Sequence, residues 1–500
     1  MAVELLLNLE HGGERTLQKQ IVDQLAYAII NGAVALEQPL PSSRTLSAQL
    51  GVGRNTVILA YQSLLDDGYL ISRERSGYFV NPALLRGVRP QLLESSATVS
   101  QPVNWQRRWQ QPPSQLPRLV KPSNWQQFPY PFIYGQISSN LFPVNHWREC
   151  SRDAVSVGAI RHWSAERLGY DDPLLVAQVR SRLLPRRGVI AEPENILITV
   201  GTQQGLALIA QLLWNRPGTK VGVENPGYVD LHNLVTLSGA EQVALPIDDC
   251  GVIVDEQLKQ CDYLCVTPSH QSPTTVTMPL ERRKALLAAA AASNSVIIED
   301  DYEGEFNYLS RPLPALKSMD VDGRVIYLGS LSKTLSPGIR LGYMVASKEL
   351  IEELRALRRL MVRHPAANNQ HTLALFLERG YHDSLIGKLY STYAERYAVM
   401  KQALAEHLPQ LQVSPSAGGS SFWLQAPQGI DTQLLAEQAA QQGIIIEPGH
   451  LHFISDRPPS NTFRMGFSAV PAEQIEIGVQ LLSEILARQG GRCAAAGTSE

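Results

Sequence analysis

Long apolar runs are missing from this 500-residue sequence. The nearest candidate, residues 285–292, is far shorter than the roughly 18 residues that a membrane helix needs. The amino terminus places Glu4 and Glu10 around three leucines, which does not match a secretory signal. We therefore expect a cytoplasmic protein that neither spans a membrane nor is secreted.

Cysteine is scarce as well: there are five, odd in number and scattered along the chain. This excludes a secreted disulfide scaffold. Cys261 and Cys265 are separated by three residues, but no second pair completes a zinc site. We expect reduced, buried thiols and no bound metal.

Net charge is low, at −3, so bulk charge alone does not indicate nucleic-acid binding. The hydrophobic fraction of 44% is that of a globular protein, and the length predicts two or three domains. Basic charge concentrates in residues 81–130, which hold six Lys or Arg, one Glu and many Pro, Gln and Ser. We assign residues 83–130 as a linker, whose Trp105, Trp109 and Trp125 either pack on the larger domain or contact DNA.

The region before the linker has the pattern of a winged helix-turn-helix. Apolar residues recur every fourth position from Leu17 to Ile29, which predicts an amphipathic helix. Ser42 or Ser43 can cap a second helix. A third helix follows the tight turn at residues 51–53 and stops at residue 67, before two short apolar strands around a charged tip. Three helices and a hairpin in this order are typical of a helix-turn-helix with a wing.

The start of the third helix carries side chains that can read DNA bases. Arg54 can bind guanine and Asn55 can bind adenine in the major groove, while Thr56 suits a phosphate. Arg44 on the second helix, and Arg73 and Arg75 on the wing, could reach the DNA backbone.

Residues Leu17 to Val80 resemble the DNA-binding domain of the GntR family of bacterial regulators. The resemblance rests on Pro41-Ser42-Ser43-Arg44, Arg54-Asn55-Thr56-Val57, Ala60-Tyr61 and Gly68-Tyr69-Leu70. It implies binding to double-stranded operator DNA, with contacts from Arg44, Arg54, Asn55, Thr56 and the wing residue Gly77.

After the linker, short apolar strands alternate with helices such as 204–213 and 280–292. This alternation predicts an α/β domain with a largely parallel sheet, whose ligands bind beyond the carboxyl ends of the strands. The predicted strands are 196–200, 221–223, 263–266, 296–298, 325–328 and 342–345.

Residues with reactive or phosphate-binding side chains follow these strands. Lys is rare here, yet Lys333 follows a strand together with Ser330 and Arg340. Lys can form an imine with the aldehyde of pyridoxal phosphate, an acid can hold the proton on its ring nitrogen, and Arg and Ser can bind its phosphate. Other strands are followed by a possible phosphate-binding helix start (Gly201, Thr202, Gln203), an aromatic residue (Tyr228), two acids (Asp300 and Asp301) and a phenol (Tyr302). Asp230, two residues after Tyr228, either faces the same pocket or is a solvated helix residue.

Residues Trp163 to Phe467 resemble the fold-type I aminotransferase family, which has a smaller carboxyl-terminal α+β subdomain. The resemblance implies that Lys333, Asp300 and Tyr302 are the catalytic residues, and it prefers Asp300 to Asp301 because Asp300 lies two residues before Tyr302. It implies that Arg464 holds a substrate α-carboxylate. The implied cofactor-binding residues are Lys333, Asp300, Tyr302, Tyr228, Gly201, Thr202, Gln203, Ser330 and Arg340.

The sequence departs from the family pattern at two positions. The subfamily usually has an aromatic residue at Ser272 and Gly at Thr275, and true aminotransferases have Asn at the Ser272 position. The missing Asn argues against efficient transamination but leaves cofactor binding intact.

A GntR-type domain followed by an aminotransferase-like domain resembles the MocR (GabR-like) regulators, over nearly the whole chain. The resemblance implies a domain-swapped homodimer. We assign residues 14–82 to the DNA-binding domain, 131–490 to the effector domain (its small subdomain mostly 350–490) and 491–500 to a disordered tail. We expect a transcriptional regulator that senses an amine or amino acid through pyridoxal phosphate, with at most a residual transaminase half-reaction. The alternatives are a working aminotransferase with an appended DNA-binding domain, and a binding module with a dead site.

Overall fold

The computed structural model describes residues 7–10, 12, 15–36, 38–74, 76–85, 103–109, 111–166, 169–309 and 312–496. The chain divides into two compact units, Met1–Arg108 and Trp109–Glu500. The division falls inside the segment that we assigned as a linker. Among the described residues, no helix combines the length and the apolar character that crossing a bilayer requires.

The first unit is the predicted three-helix domain with a wing. The side chain of Ser42 caps the second helix by accepting a hydrogen bond from the Thr45 amide (3.1 Å), and Gly51 ends that helix with a φ of 64°. The elements are α1 Leu17–Ile30, α2 Ser43–Leu50, α3 Arg54–Asp66, β1 Leu70–Arg73, β2 Gly77–Val80 and α4 Pro82–Leu85.

A buried tyrosine joins the parts of this unit. The Tyr61 hydroxyl donates to the Pro41 carbonyl (2.7 Å), and its ring meets Tyr78 of the wing edge-on, with centroids 5.0 Å apart. Ile21 and Leu25 of α1 and Leu46 of α2 pack in the same core. Because α3 carries Tyr61, this packing fixes the third helix against both the segment before α2 and the wing.

The second unit is the predicted α/β domain with a smaller carboxyl-terminal part. Its helices are α5 Val144–Ala154, α6 Val157–Trp163, α7 Pro173–Gln178, α8 Gly201–Leu213, α9 Val229–Ser238, α10 Leu280–Ser293, α11 Lys348–Val362, α12 Ala367–Glu378, α13 Tyr381–His407, α14 Thr432–Gln441 and α15 Ala472–Ala496. Its strands are β3 Tyr130–Pro131, β4 Ile196–Thr199, β5 Lys220–Asn225, β6 Glu241–Asp248, β7 Gly251–Val252, β8 Tyr263–Val266, β9 Val296–Asp301, β10 Val325–Ser330, β11 Gly342–Val345, β12 Gln412–Val413, β13 Ser421–Gln425, β14 Ile444–Ile445, β15 Glu447–Pro448 and β16 Thr462–Gly466.

Eight strands form the main sheet, in the order β4-β11-β10-β9-β8-β5-β6-β7. The neighbours from β10 to β6 pair in parallel, whereas β11 and β7 are antiparallel to their neighbours. The six predicted strands are all present, and the apolar pattern missed only the more polar β6 and the two-residue β7. Since β4, β5, β8, β9 and β10 point the same way, the residues that follow them meet at one edge.

Both faces of this sheet are covered. Ile196 and Ile198 of β4 pack in one hydrophobic cluster, while the intervening Leu197 packs in another with Leu206 of α8 and Leu354 of α11. This alternation is what a strand with packed layers on both faces of its sheet requires. The carboxyl edge of the sheet is therefore held by two packed layers.

The carboxyl-terminal part is built on a four-stranded antiparallel sheet, β12-β13-β16-β15. A separate parallel pair joins β3 to β14 and ties the end of the predicted linker to this part. Trp125 also packs here, against Ile133 and Ile445, whereas Trp105 and Trp109 are exposed.

The prediction of a disordered tail over 491–500 is wrong for residues 491–496, because α15 continues to Ala496. The sequence Gly-Gly-Arg-Cys-Ala-Ala-Ala looked like a chain end, but three alanines favour helix continuation. Residues 497–500 lie outside the described part of the chain.

Candidate cofactor and ligand site

Lys333 lies just beyond β10, at the carboxyl edge of the sheet. Burial lowers its pKa to about 8, with further lowering by Lys121 and Arg464 and an opposing effect from Glu303. Its Nζ lies 4.1 Å from the ring centroid of Tyr134. Gly135 has a φ of 74°, in the left-handed region that favours glycine, and a Cβ there would overlap Lys333 Nζ. Lys333 is thus a buried amine with a neutral form accessible near pH 8.

The two candidate acids at the end of β9 have different environments. Asp301 is engaged by the core: Arg187 Nε donates to its Oδ2 (2.6 Å), and so does the Tyr327 hydroxyl (2.8 Å). Asp300 Oδ1 is buried and has no hydrogen-bond partner among the described residues. Burial and the charge of Asp301 raise the pKa of Asp300 to about 7. Asp301 Oδ1 also lacks a partner, but Asp301 is already paired with Arg187, whereas Asp300 has no ion pair among the described residues.

The start of α8 and Arg340 come together beside the same edge. Gly201 has a φ of 76°, and a Cβ there would lie 3.2 Å from Arg340 Nη2. Arg340 Nη2 donates to the Val200 carbonyl (3.1 Å). Thr202 and Gln203 occupy the first turn of α8, and Ser330 ends β10 with its hydroxyl accepting from the Ser332 amide (3.2 Å). Helix amides, a guanidinium and hydroxyls are the donors that a phosphate needs.

Tyr228 lies between α8 and α9. Its hydroxyl is 2.8 Å from Gln203 Oε1 and 3.2 Å from Asp230 Oδ2. Asp230, in the first turn of α9, is thus a half-buried neighbour of Tyr228. Tyr228 and Asp300 also line one small cavity, together with Glu224 and Thr267.

Tyr302 follows Asp301 directly, and its hydroxyl donates to the His270 carbonyl (2.6 Å). Burial raises the pKa of Tyr302 well above its usual value, so the phenol stays protonated. Its ring meets that of Tyr134 edge-on, with centroids 6.3 Å apart.

Arg464 lies on β16, and its Nε donates to Glu447 Oε2 on β15 (2.9 Å). Both side chains are buried. The Arg464 guanidinium lies 4.1 Å from the Tyr134 ring centroid, on the same phenol ring that Lys333 contacts. The structure thus brings Arg464 close to Lys333, but it pairs Arg464 with an acid that we did not predict.

Four further residues of this site were missed in the sequence. Tyr134 precedes the first predicted strand of the domain, Lys121 lies in the segment assigned as a linker, and Glu303 and Glu447 follow no local pattern. Lys121 Nζ lies 3.5 Å from Glu447 Oε1, and Glu303 Oε1 accepts from the Ser420 hydroxyl (2.5 Å). Local sequence signals cannot reveal such long-range contacts.

The segment with the two departures from the family pattern forms a tight loop. The Thr267 hydroxyl donates to Glu224 Oε2 (2.5 Å) and accepts from the Ser272 amide (3.0 Å). Burial raises the pKa of Glu224 to about 7. Thr275 has a φ of 62°, in the left-handed region that favours glycine. Thr275 therefore adopts a conformation that glycine would adopt without strain.

The predicted DNA-contacting side chains are grouped on the first unit. Arg44, Arg54, Asn55 and Arg73 are exposed, and Thr56 is half-buried. Arg54 Nε lies 3.4 Å from Ser43 Oγ, and the Arg73 guanidinium lies 4.3 Å from the Phe79 ring centroid. Gly77 begins β2 with a φ of 99°. Arg75 lies outside the described residues.

Comparisons with known proteins match both units. Residues 136–482 match the family of class I and II aminotransferases, and residues 17–80 match the gntR family of bacterial regulatory proteins. The chain is 39% identical over 480 residues to the HTH-type transcriptional regulator TauR of Rhodobacter capsulatus, covering 96% of this chain and 98% of that protein. It is 29% identical over 484 residues to the probable rhizopine catabolism regulatory protein MocR of Rhizobium meliloti, covering 95% of each.

The chain is a MocR-like transcriptional regulator of the GntR family. The predictions of the family and of a transcriptional regulator with an aminotransferase-like domain are thereby confirmed.

Solved structures similar to this MocR-like regulator are aminotransferases. Kynurenine aminotransferase of Pyrococcus horikoshii has a TM-score of 0.68 and 27% identity, covering 74% of this chain and 95% of that one. The alpha-aminoadipate aminotransferase LysN of Thermus thermophilus has a TM-score of 0.69 and 25% identity, covering 78% and 100%. The fold of the effector domain thus implies use of pyridoxal phosphate.

Proposed function

We propose that this regulator binds pyridoxal phosphate through Lys333 and uses it to detect an amine or amino acid, which changes its binding to operator DNA. It acts in the cytoplasm as a homodimer, with domains swapped between the subunits. The observation that carries the proposal is the convergence of a buried, low-pKa Lys333 and a hydrogen-bond-deficient Asp300 at the sheet edge of a chain that also holds a winged helix.

The residues present fit the cofactor. Bound pyridoxal phosphate supplies an aldehyde that captures amines and a ring that withdraws electrons. Asp300, with a buried oxygen lacking a partner, is suited to accept a ring N–H. Arg340, Ser330 and the first turn of α8, with Gly201, Thr202 and Gln203, would hold the phosphate.

The tyrosines and Arg464 would orient what binds there. Tyr228 is held by Gln203 and would face the ring. Tyr302 stays protonated, and its hydroxyl would exchange its hydrogen bond to the His270 carbonyl for one to an oxygen of the cofactor. Arg464 would receive a ligand carboxylate, because a guanidinium offers planar paired donors. The solved structures of the two aminotransferases named above are complexes with PMP and with N-(5'-phosphopyridoxyl)-L-leucine.

In the other unit, Arg54, Asn55 and Thr56 would contact the DNA bases and backbone from the start of α3. Arg44, Arg73, Arg75 and Gly77 would contact the backbone beside them. A ligand changes operator affinity only if it binds two conformations of the dimer with different affinity.

The alternative function is that of a working aminotransferase, which the presence of Lys333, Asp300 and Tyr302 in one site favours. Ser272 stands where such enzymes have Asn, which argues against it. Steady turnover of an amino donor and a keto acid at about 1 s⁻¹ or more would establish the alternative.

The cofactor assignment is tested by reconstitution. The purified protein titrated with pyridoxal phosphate should gain a visible absorption band, and borohydride reduction followed by peptide mapping should label Lys333. Lys333→Ala should lose the label, while Lys348→Ala, at an exposed lysine on α11, should keep it. A label on another lysine would overturn the assignment.

A further inference from the structure

Lys121 belongs to the segment before the effector domain, yet its amine lies in the ligand site. Lys121 Nζ donates to the Tyr134 carbonyl and lies 3.5 Å from Glu447 Oε1. A Cβ on Gly135 would overlap Lys333 Nζ and would lie 3.9 Å from Lys121 Nζ. The two ammonium groups are therefore close neighbours.

Three cationic side chains surround the ring of Tyr134. Lys333 and Arg464 each lie 4.1 Å from its centroid, and Lys121 Nζ lies 5.7 Å away. The acids Glu303 and Glu447 act on Lys333 beside these cations, and Asp300 lies within reach of the Lys333 charge as well. Burial raises the pKa of Glu303, whereas Arg464 and Lys121 keep the pKa of Glu447 low despite its burial. Glu447 thus contacts two cations, Lys121 and Arg464, and a ligand anion could join them there.

The guanidinium nitrogens of Arg464 differ in their hydrogen bonding. Its Nε is bound to Glu447, and neither Nη atom makes a hydrogen bond within the described part of the chain. An anion can therefore bind the two Nη groups end-on while Glu447 holds the other edge. Glu447 also lies next to Lys121, so a ligand anion at Arg464 competes with it for the lysine.

The chain around Lys121 is anchored on both sides. The Asn233 side chain donates to the Pro117 carbonyl (2.7 Å). Trp125 packs against Ile133 and Ile445. A shift of Lys121 would therefore strain a short segment that runs, in sequence, towards the DNA-binding unit.

We propose that Lys121 is a second anion-binding residue of the ligand site, and that its transfer from Glu447 to the anionic group of the ligand signals occupancy to the segment joining the two domains. This inference rests on the proposed function. It defines the ligand class as primary amines with a carboxylate or sulfonate group, and it makes Glu447 a positioning residue for Arg464.

The test compares amines with and without an anionic group. The probes are glycine, β-alanine, 4-aminobutyrate and their sulfonate analogues, with propylamine as the anion-free reference. Each is titrated against the absorption of the cofactor-loaded full-length protein. In the wild type, at least one anionic probe should bind more tightly than propylamine.

Lys121→Met should weaken the best anionic probe by about 10- to 100-fold, the effect of losing a charged hydrogen bond. Propylamine affinity should stay within about threefold, which separates loss of the anion contact from misfolding. Lys121→Arg keeps the charge and should recover part of the affinity. Arg118→Met, at an exposed residue of the same segment, should behave as the wild type.

The signalling role is read from operator binding at saturating probe. The ratio of operator affinities with and without probe should collapse towards one in Lys121→Met and persist in Arg118→Met. Equal losses for propylamine and the anionic probes, a wild-type preference for propylamine, or a full operator response in saturated Lys121→Met would each overturn the inference. Failure of every probe to alter the wild-type absorption would instead contradict the proposed function.

Discussion

Lys333 illustrates how burial prepares a residue for its chemistry. A lysine in water keeps its proton near neutral pH, whereas the enclosure of Lys333 lowers its pKa to about 8. Glu303 limits the shift, and Lys121 and Arg464 add to it. The pKa of the Lys333 amine is therefore set by residues that lie far apart in sequence.

This shift predicts the pH dependence of cofactor capture. The neutral amine is the reactive form, so the rate at which the apo-protein takes up pyridoxal phosphate should rise with pH and level off above about 8. At pH 7 about a tenth of Lys333 would be neutral, against about one part in three thousand for an ordinary lysine. Stopped-flow absorption from pH 6 to 10 measures the midpoint, and a midpoint near 10 would contradict the lowered pKa.

We expect the replacement of Thr275 by glycine to increase the stability of the fold. A β-branched residue at a φ of 62° is strained, so Thr275→Gly should stabilise the fold by about 1 kcal/mol, reduced by the loss of the hydroxyl contact with the Thr274 carbonyl (2.6 Å). Urea unfolding measures the change. Asn294→Gly, at a φ of 56°, is the control and should have a small effect because Asn tolerates this region. If Thr275→Gly destabilised the fold, the contacts of the threonine side chain would stabilise it by more than the backbone strain destabilises it.

At the scale of elements, the sequence predicted the first three helices, the two wing strands and six of the eight described strands of the main sheet, because their apolar periodicity is strong. The positions of the edge residues followed from the strands: Lys333 and Gly201 come after β10 and β4, Asp300 lies at the end of β9, and these parallel strands end at one edge. The preference for Asp300 over Asp301 came from the family resemblance. Glu447 and Lys121 could not be found in this way, since they reach the site through β15 and an irregular segment. Two-residue strands and isolated charges carry no periodic signal.

Helix α3 predicts the effect of Arg54 on DNA recognition. Arg54→Ala should cost about 1–3 kcal/mol at the specific site if the side chain binds guanine, and much less on unrelated DNA. Fluorescence anisotropy at several salt concentrations distinguishes this loss from a phosphate contact, which would weaken all sequences equally and flatten the salt dependence. Arg15→Ala removes an exposed arginine ahead of α1 and is the matched control. Equal losses on both DNAs would place Arg54 on the backbone.

At the scale of the whole molecule, the two units predict separable functions. Deleting residues 1–80 should abolish operator binding and leave the cofactor absorption band, because the effector unit has its own cores. Gel-shift assays and absorption spectra on the same preparation measure both properties. Operator binding by the truncated protein would mean that the basic segment at 81–130, and not the winged helix, holds the DNA.

The most direct test of the central claim measures operator binding as an amine probe is added. A DNA fragment selected by the wild-type protein is titrated with full-length protein, with and without the probe that most alters the cofactor absorption. The wild type should change its operator affinity, whereas Lys333→Ala should bind the fragment with an affinity that the probe does not alter. A probe response that persists in Lys333→Ala would contradict detection through the cofactor lysine.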